Sequence, residues 1–338
     1  MRFGLLLLSV LCGCMTSRGR SGARDAASAE SGSAAADGSA VAGDRAAVGG
    51  GGAAGSGGTQ DADPSRVCES WLAARRDREE GVWSGSVNAC DAGDVDAGGR
   101  ARALAQVNAW RALAQLPALS TRPDRDAYAQ ECALLMHANG ALSHNPPSHW
   151  ACYTDGAALG AGSSNIATAP GVGAVALYMV DNGNESTLGH RRWILSEGVG
   201  PIGLGSTDRA SCMWVFAGEG QHTRPYVAFP PAGVVPLEVF GPVLSWPGAP
   251  TLDDTGWSIQ SEFTDLSGAE VRVTREGQEL PVALTVLEGG YGAASAIGFR
   301  PVDWRTTAGH YTVSVTRVVP EFEYTVSVVD CDAALESP

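Results

Sequence analysis

The stretch Leu188-Gly189-His190-Arg191-Arg192-Trp193-Ile194-Leu195 decides the fold, read together with Gly140-Ala141-Leu142-Ser143-His144 upstream. Each phrase turns on a histidine. Between them lies Gly162-Ser163-Ser164-Asn165-Ile166-Ala167, and ahead of both stand Asn108 and Arg111 on one helical face. Neutral imidazoles are common zinc ligands, and two of them with a carboxylate and a water form an open four-coordinate site. The same two histidines serve equally well as hydrogen-bonded residues that hold loops in place. The residue types alone leave both readings open.

Helical patterns surround these phrases. Ala103, Val107, Trp110 and Ala114 recur at helical spacing, and Leu116-Pro117 ends that helix. Over residues 122–139, Tyr128, Cys132, Leu135, Met136 and Asn139 form one stripe, with Gly140 as the stop. Val172, Val175, Ala176, Met179 and Val180 mark a third helix. After a short turn around His190, residues 201–205 and 212–216 are apolar runs bounded by Gly and Asp, the pattern of strands. Helices followed by strands predict an α+β module.

From Pro225 onward the apolar period becomes two. Val271/Val273, Val282/Leu284/Val286, Ile297/Phe299, Tyr311/Val313/Val315 and Tyr324/Val326/Val328 alternate with polar residues between turn signals. This predicts a separate all-β sandwich of immunoglobulin-like type over residues 225–335, with Trp257 as a core anchor. Nothing in it looks catalytic; His310 reads as a residue at the edge of a strand.

The N-terminal end predicts export. Arg2 precedes an apolar run, Leu5 to Leu11, far too short to span a bilayer. Leu11-Cys12-Gly13-Cys14 is similar to a bacterial lipobox, so residues 1–14 read as a lipoprotein signal with Cys14 the lipidated residue; plain secretion is the alternative. Residues 15–65 are dominated by Gly, Ala, Ser and Asp and read as a disordered tether. The formal net charge of −14 and pI near 4.8 argue against nucleic acid as a partner, since phosphate recognition needs a basic face. Apart from Cys12 and Cys14, six cysteines remain, none in a C-x-x-C pair, which predicts three disulfides in an oxidising compartment. Sequence proximity suggests Cys68–Cys90, Cys132–Cys152 and Cys212–Cys331, with residues 66–97 a disulfide-containing extension.

Residues 98–222 resemble a CAP domain, also called the SCP domain, shared by cysteine-rich secretory proteins, antigen 5 and pathogenesis-related proteins. The resemblance rests on Asn108 and Arg111, Leu116-Pro117-Ala118-Leu119, the His144 phrase, Asn165-Ile166-Ala167, Gly189-His190 and the closing strands; the Gly-His-Arg-Arg-Trp-Ile-Leu form is similar to bacterial members. It implies an α-β-α sandwich with an open cavity holding two histidines and two acidic residues, which in some members bind a divalent metal. His144 and His190 match the histidines. Ser164 stands where the family has the glutamate of Gly-Glu-Asn, a departure that removes one carboxylate. For the second acid Asp181 is the nearer match and Glu185 the other candidate.

The candidate cavity residues are therefore His144, His190, Asp181, Glu185 and Ser164, with His144 and His190 the metal candidates. No cofactor is required; zinc is the divalent metal this chemistry admits. Ser164 reads as a backbone-capping serine, since it lacks a nucleophile elbow. Arg191 and Arg192 are candidates to pair with Asp181 or Glu185, with anionic lipid, or with nothing. His137 and His149 read as solvent or loop residues and His222 as a linker residue. The expected protein is an envelope lipoprotein, membrane-tethered, whose cavity takes a small amphipathic ligand or a protein partner. A metal- or histidine-dependent hydrolase and a structural envelope protein are the alternatives.

Overall fold

The computed structural model describes residues 62–216, 218–242 and 247–336. The expected export signal with its Cys14 and nearly all of the expected tether lie outside these residues. The tether reading extends slightly too far: helix α1 (Pro64–Arg75) begins inside it, with Asp63 accepting from the Ser65 N–H as an N-cap and Pro64 at the first helical position.

Helix α2 (Ala97–Leu113) is capped by Asp96, whose carboxylate accepts from the Gly99 N–H. Helix α3 (Pro123–Asn139) stops where predicted, at Gly140 in the left-handed conformation (φ 56°). Helix α4 (Asp155–Gly162) leads directly into strand β1 (Ser164–Ala167). Helices α5 (Gly171–Val180) and α6 (Gly189–Ile194) follow, then strands β2 (Gly203–Ser206) and β3 (Ser211–Trp214). These strands form a three-stranded antiparallel sheet in the order β1-β3-β2. Helices α3 and α4 pack on one face of the sheet and α2 and α5 on the other, giving an α-β-α sandwich. Glycine makes the closest of these approaches possible. A Cβ on Gly205 would lie 2.1 Å from the Ala129 carbonyl carbon, so β2 meets the α3 backbone only without a side chain there.

The C-terminal part is a two-sheet β-sandwich. Its strands are β4 (Val227–Phe229), β5 (Gly233–Pro236), β6 (Trp257–Ser261), β7 (Glu270–Arg275), β8 (Gln278–Leu280) and β9 (Val282–Val286), then β10 (Ser295–Pro301), β11 (Gly309–Thr316) and β12 (Phe322–Val329). One sheet runs β4-β6-β10-β9 and the other β5-β12-β11-β7-β8. Short helix α7 (Leu252–Thr255) precedes β6, and α8 (Cys331–Glu336) follows β12. In β11 and β12 the alternation is clean: Tyr311, Val313, Val315, Tyr324, Val326 and Val328 are all buried. Trp257 is buried among Phe240, Phe299, Trp304 and Tyr311, as expected of a core anchor. His310, the second residue of β11, is exposed, its Nδ1 2.9 Å from Ser327 Oγ across the strand pair.

Where the sequence reads two modules, the structure has one continuous apolar core. A single cluster of buried side chains runs from Trp71, Val107 and Trp110 through Met179 and Ile194 to Phe229, Trp257 and Val313. Polar links reinforce it. Glu80 accepts from the Val172 and Gly173 N–H groups at 2.8 and 2.7 Å, capping α5 from the N-terminal extension.

The disulfides correct the pairing expected from proximity. The bridges are Cys68–Cys331, Cys90–Cys152 and Cys132–Cys212. Cys132 on α3 faces β3 across the core of the α-β-α sandwich, so it meets Cys212 and not Cys152, which lies in a loop beside the extension carrying Cys90. Cys68 on α1 reaches Cys331 on α8 because those two helices lie together, where Ser65 Oγ also donates to the Ala334 carbonyl at 3.0 Å. Three such bridges fit an exported protein. Among the described residues no helix is long and apolar enough to cross a membrane.

Candidate functional site

The site is built at the end of α5. Every residue from Ala174 to Val180 is buried, and the helix ends at Asp181 in the left-handed conformation (φ 58°), one of the few non-glycine residue types that adopt it readily. The turn sends the Asp181 carboxylate into the interior, where its exposure is 0%. Four donors meet it. Oδ2 accepts from the backbone N–H of His190 (2.9 Å) and of Arg191 (3.3 Å), and Oδ1 from His190 Nδ1 (2.6 Å) and Asn184 Nδ2 (2.8 Å). Helix α6 has no side-chain cap of its own, so Asp181 supplies the negative charge at its N-terminus.

This arrangement fixes the histidine. A carboxylate can only accept, so the His190 ring carries a proton on Nδ1 and, when neutral, its lone pair on Nε2. Asn184 Nδ2 lies 3.2 Å from the same Nδ1, but both are donors sharing Asp181 Oδ1, and the approach is not a bond between them. The Tyr178 ring packs 5.3 Å from the imidazole, and the Asn165 side chain donates to the His190 carbonyl at 3.1 Å.

His144 is held separately. Its Nδ1 lies 2.8 Å from the Ala161 carbonyl oxygen, which makes Nδ1 the donor there as well. The two histidines are thus tied to the two ends of residues 161–165, the junction of α4 and β1. Ser164 sits within this junction, fully buried, and its hydroxyl has no hydrogen-bond partner, which sets aside the capping role expected of it. Glu185 is not brought to the histidines: it is exposed and accepts from the Gly183 N–H at 2.8 Å. Of the two acidic candidates, the structure places Asp181 beside His190.

The residues present do not fit a zinc centre with three protein ligands. The Asp181 carboxylate is engaged by four donors, and Ser164 offers a neutral hydroxyl where the resemblance implies a carboxylate. Among the described residues, no group of three or more His, Cys, Asp or Glu is placed to hold a metal ion.

The remaining motif residues are structural links. Asn108 closes a two-way bond with the backbone of Leu119, at 3.0 and 2.8 Å, and fixes the Leu116–Leu119 turn. Arg111 donates to the carbonyls of Pro117, Ile194 and Ser196; desolvation by its surroundings lowers its pKa to about 10. Arg191 and Arg192, read as partners for acids or lipid, instead send their guanidinium groups to carbonyls and hydroxyls. Arg191 is fully buried and donates to Met179, Val180 and Gly256 carbonyls and to Thr255 Oγ1. Arg192 donates to the carbonyls of Thr187, Glu288 and Ala293. Burial lowers both to about 10. His137 packs against Trp83 with Asp208 3.4 Å away, His149 is exposed, and His222 lies against Gly198.

Sequence reasoning missed Asn184, Tyr178 and Tyr291. The first two carry no motif signal, and Tyr291 comes from a β-sandwich loop more than a hundred residues downstream of Tyr178.

Residues 104–216 match the family model described as CAP, the cysteine-rich secretory protein family. No curated protein matches the chain. The match covers both histidine phrases and the sheet with its flanking helices, so residues 104–216 form a CAP domain, a module that supports a general extracellular ligand-binding role.

Proposed function

We propose that this protein is an exported lipoprotein, tethered to the membrane through Cys14, whose CAP domain binds a small amphipathic, lipid-like ligand at the His144–His190 region. One observation supports the reading: a preorganised polar cluster, Asp181, His190 and Asn184, bonded through the His190 carbonyl to Asn165, whose neighbour Ser164 keeps a fully buried, unbonded hydroxyl. A small number of fixed polar groups that orient a ligand is the usual polar part of a small-molecule site. A polar group kept buried without a protein partner lowers stability by about 1–3 kcal/mol, so its retention favours a use outside the fold.

The full chain titrated with a fluorescent sterol and a fluorescent long-chain fatty acid tests this. Saturable binding of either probe, weakened about tenfold or more by Ser164→Trp and by His190→Ala, supports it. No saturable binding of either probe to the folded protein would sink it and leave the envelope-scaffold role.

A second reading rests on the 2.6 Å Asp181–His190 pair, the arrangement that orients a histidine as a general base. Its nucleophile would be water, because the Ser164 hydroxyl is bonded to neither imidazole. Turnover of ester or peptide substrates abolished by His190→Ala would favour it; equal rates in the two proteins would remove it.

A further inference from the structure

The loop that carries His190 has an unusual backbone. Leu188 adopts the left-handed conformation (φ 44°, ψ 40°), a strained state for a branched side chain that persists only where neighbours over-determine it. Those neighbours come from the β-sandwich. Leu188 is fully buried in a small cluster with Leu287 and Ala296, and a Cβ on Gly298 would lie 3.4 Å from its Cδ1.

The next residues repeat the pattern. A side chain on Gly189 would meet the Tyr291 ring, with its Cβ 2.6 Å from Cδ1, so Tyr291 lies directly over the backbone just before His190. Arg191 grips Gly256 and Thr255 at the start of β6. Arg192 grips Glu288 and Ala293 at the two ends of the β9–β10 loop and lies over the Tyr291 ring. The backbones join as well: the Glu288 N–H donates to the Ser186 carbonyl at 3.0 Å, and Ser196 Oγ donates to the Gly292 carbonyl at 2.5 Å.

We infer that the β-sandwich is a working half of the histidine site: its β9–β10 loop, through Leu287 and Tyr291, holds the 188–190 backbone in the one conformation that delivers the His190 ring to Asp181. Leu287 and Tyr291 are positioning residues; Arg192 clamps their loop to α6, and Arg191 clamps the turn between α7 and β6 to the same helix. The functional meaning of this device rests on the proposed ligand site, but its existence does not.

Histidine tautomers report it directly. The full chain, without ligand, is compared with Leu287→Ala and Tyr291→Ala by long-range ¹H–¹⁵N spectra of the imidazole rings, with near-UV circular dichroism confirming the folded state. The expected result is that His190 loses its single Nδ1-protonated form and the protected Nδ1 proton. Ser196→Ala removes the bond to Gly292, together with the local one its hydroxyl accepts from the Gly198 N–H, and is expected to shift His190 less, in the same direction. Unchanged His190 signals in folded Leu287→Ala or Tyr291→Ala overturn the inference; should neither fold, unchanged signals in Ser196→Ala do so. Because no ligand is present, failure of the wild-type protein to bind the sterol or fatty-acid probe refutes the proposed function alone.

Discussion

Replacing Arg191 by methionine tests whether the clamp stabilises the molecule. The guanidinium, fully buried, satisfies three carbonyls: Met179 at 2.6 Å, Val180 at 3.1 Å and Gly256 at 2.6 Å. Methionine fills similar space and leaves all three without their donor. An orphaned buried acceptor costs about 1–3 kcal/mol, so the loss is roughly 6 kcal/mol at the centre of that range. An opposing effect exists, because burial lowers this arginine from the ordinary guanidinium value to about 10. At about 1.4 kcal/mol per unit, removing the charge returns roughly 3 kcal/mol. The net expectation is a loss of about 3 kcal/mol, in the range seen when one partner of a buried charged network is removed. Guanidinium titration followed by tryptophan fluorescence, with disulfides intact, measures it. Arg191→Lys keeps the charge but not the planar fork, and is expected to lose a comparable amount. A Met variant within about 0.5 kcal/mol of wild type would show that the carbonyls find other donors and that the clamp is not what joins the two halves.

Removing the Cys68–Cys331 bridge by a double serine substitution frees a loop with a sequence separation of 263, and chain-entropy reasoning puts the loss at about 5 kcal/mol; a denaturation midpoint near wild type would contradict it. Ser164→Ala is expected to raise stability by about 1 kcal/mol, since it deletes a buried hydroxyl that has no partner, while weakening probe binding; a destabilised variant would show that the hydroxyl serves the fold. Acid is expected to loosen residues 223–224. Burial pushes the Glu197 carboxyl up, but the Arg224 and Thr223 amides, the Thr223 hydroxyl and the Arg224 guanidinium outweigh it and hold it below the ordinary 4.5. A carboxyl lowered in the folded state stabilises fully above its unfolded value and loses that contribution as pH falls through the folded one. Glu197→Gln should therefore flatten the stability curve below pH 4.5, and an unchanged acid limb would refute this assignment.

Much of this architecture was legible because local signals agreed with the tertiary outcome. The stripes of α2, α3 and α5 and the alternation of β7 and β10 to β12 are short-range patterns, and the stop at Gly140 follows from its left-handed backbone; β9 forms as a strand, but its Leu284 and Val286 stay exposed. Helix α4 was not legible: Asp155-Gly-Ala-Ala-Leu-Gly-Ala-Gly162 has weak helical propensity and is stabilised by packing on α3 and by the Thr154 cap. The cysteine pairs failed for a related reason, since proximity along the chain says nothing about which helices meet. Between Asp181 and Glu185 the sequence left a choice that backbone geometry resolved, one carboxylate turned inward at a helix end and the other out to solvent. The arginines were the hardest to read. Their acceptors are carbonyls contributed by segments up to a hundred residues away, and a carbonyl leaves no trace in residue identity.

The Cys68–Cys331 bridge also defines a path for mechanical load. Cys68 lies in the second turn of α1, and its partner lies at the start of α8, beyond the last strand. Tension applied between the two ends of the chain therefore passes from α1 to α8 through a covalent bond and bypasses every sheet and both histidines. In single-molecule pulling on the termini, only the segments outside the bridge lengthen until a reductant is added. A protein held by one end at a cell surface could be dragged without its site being stretched.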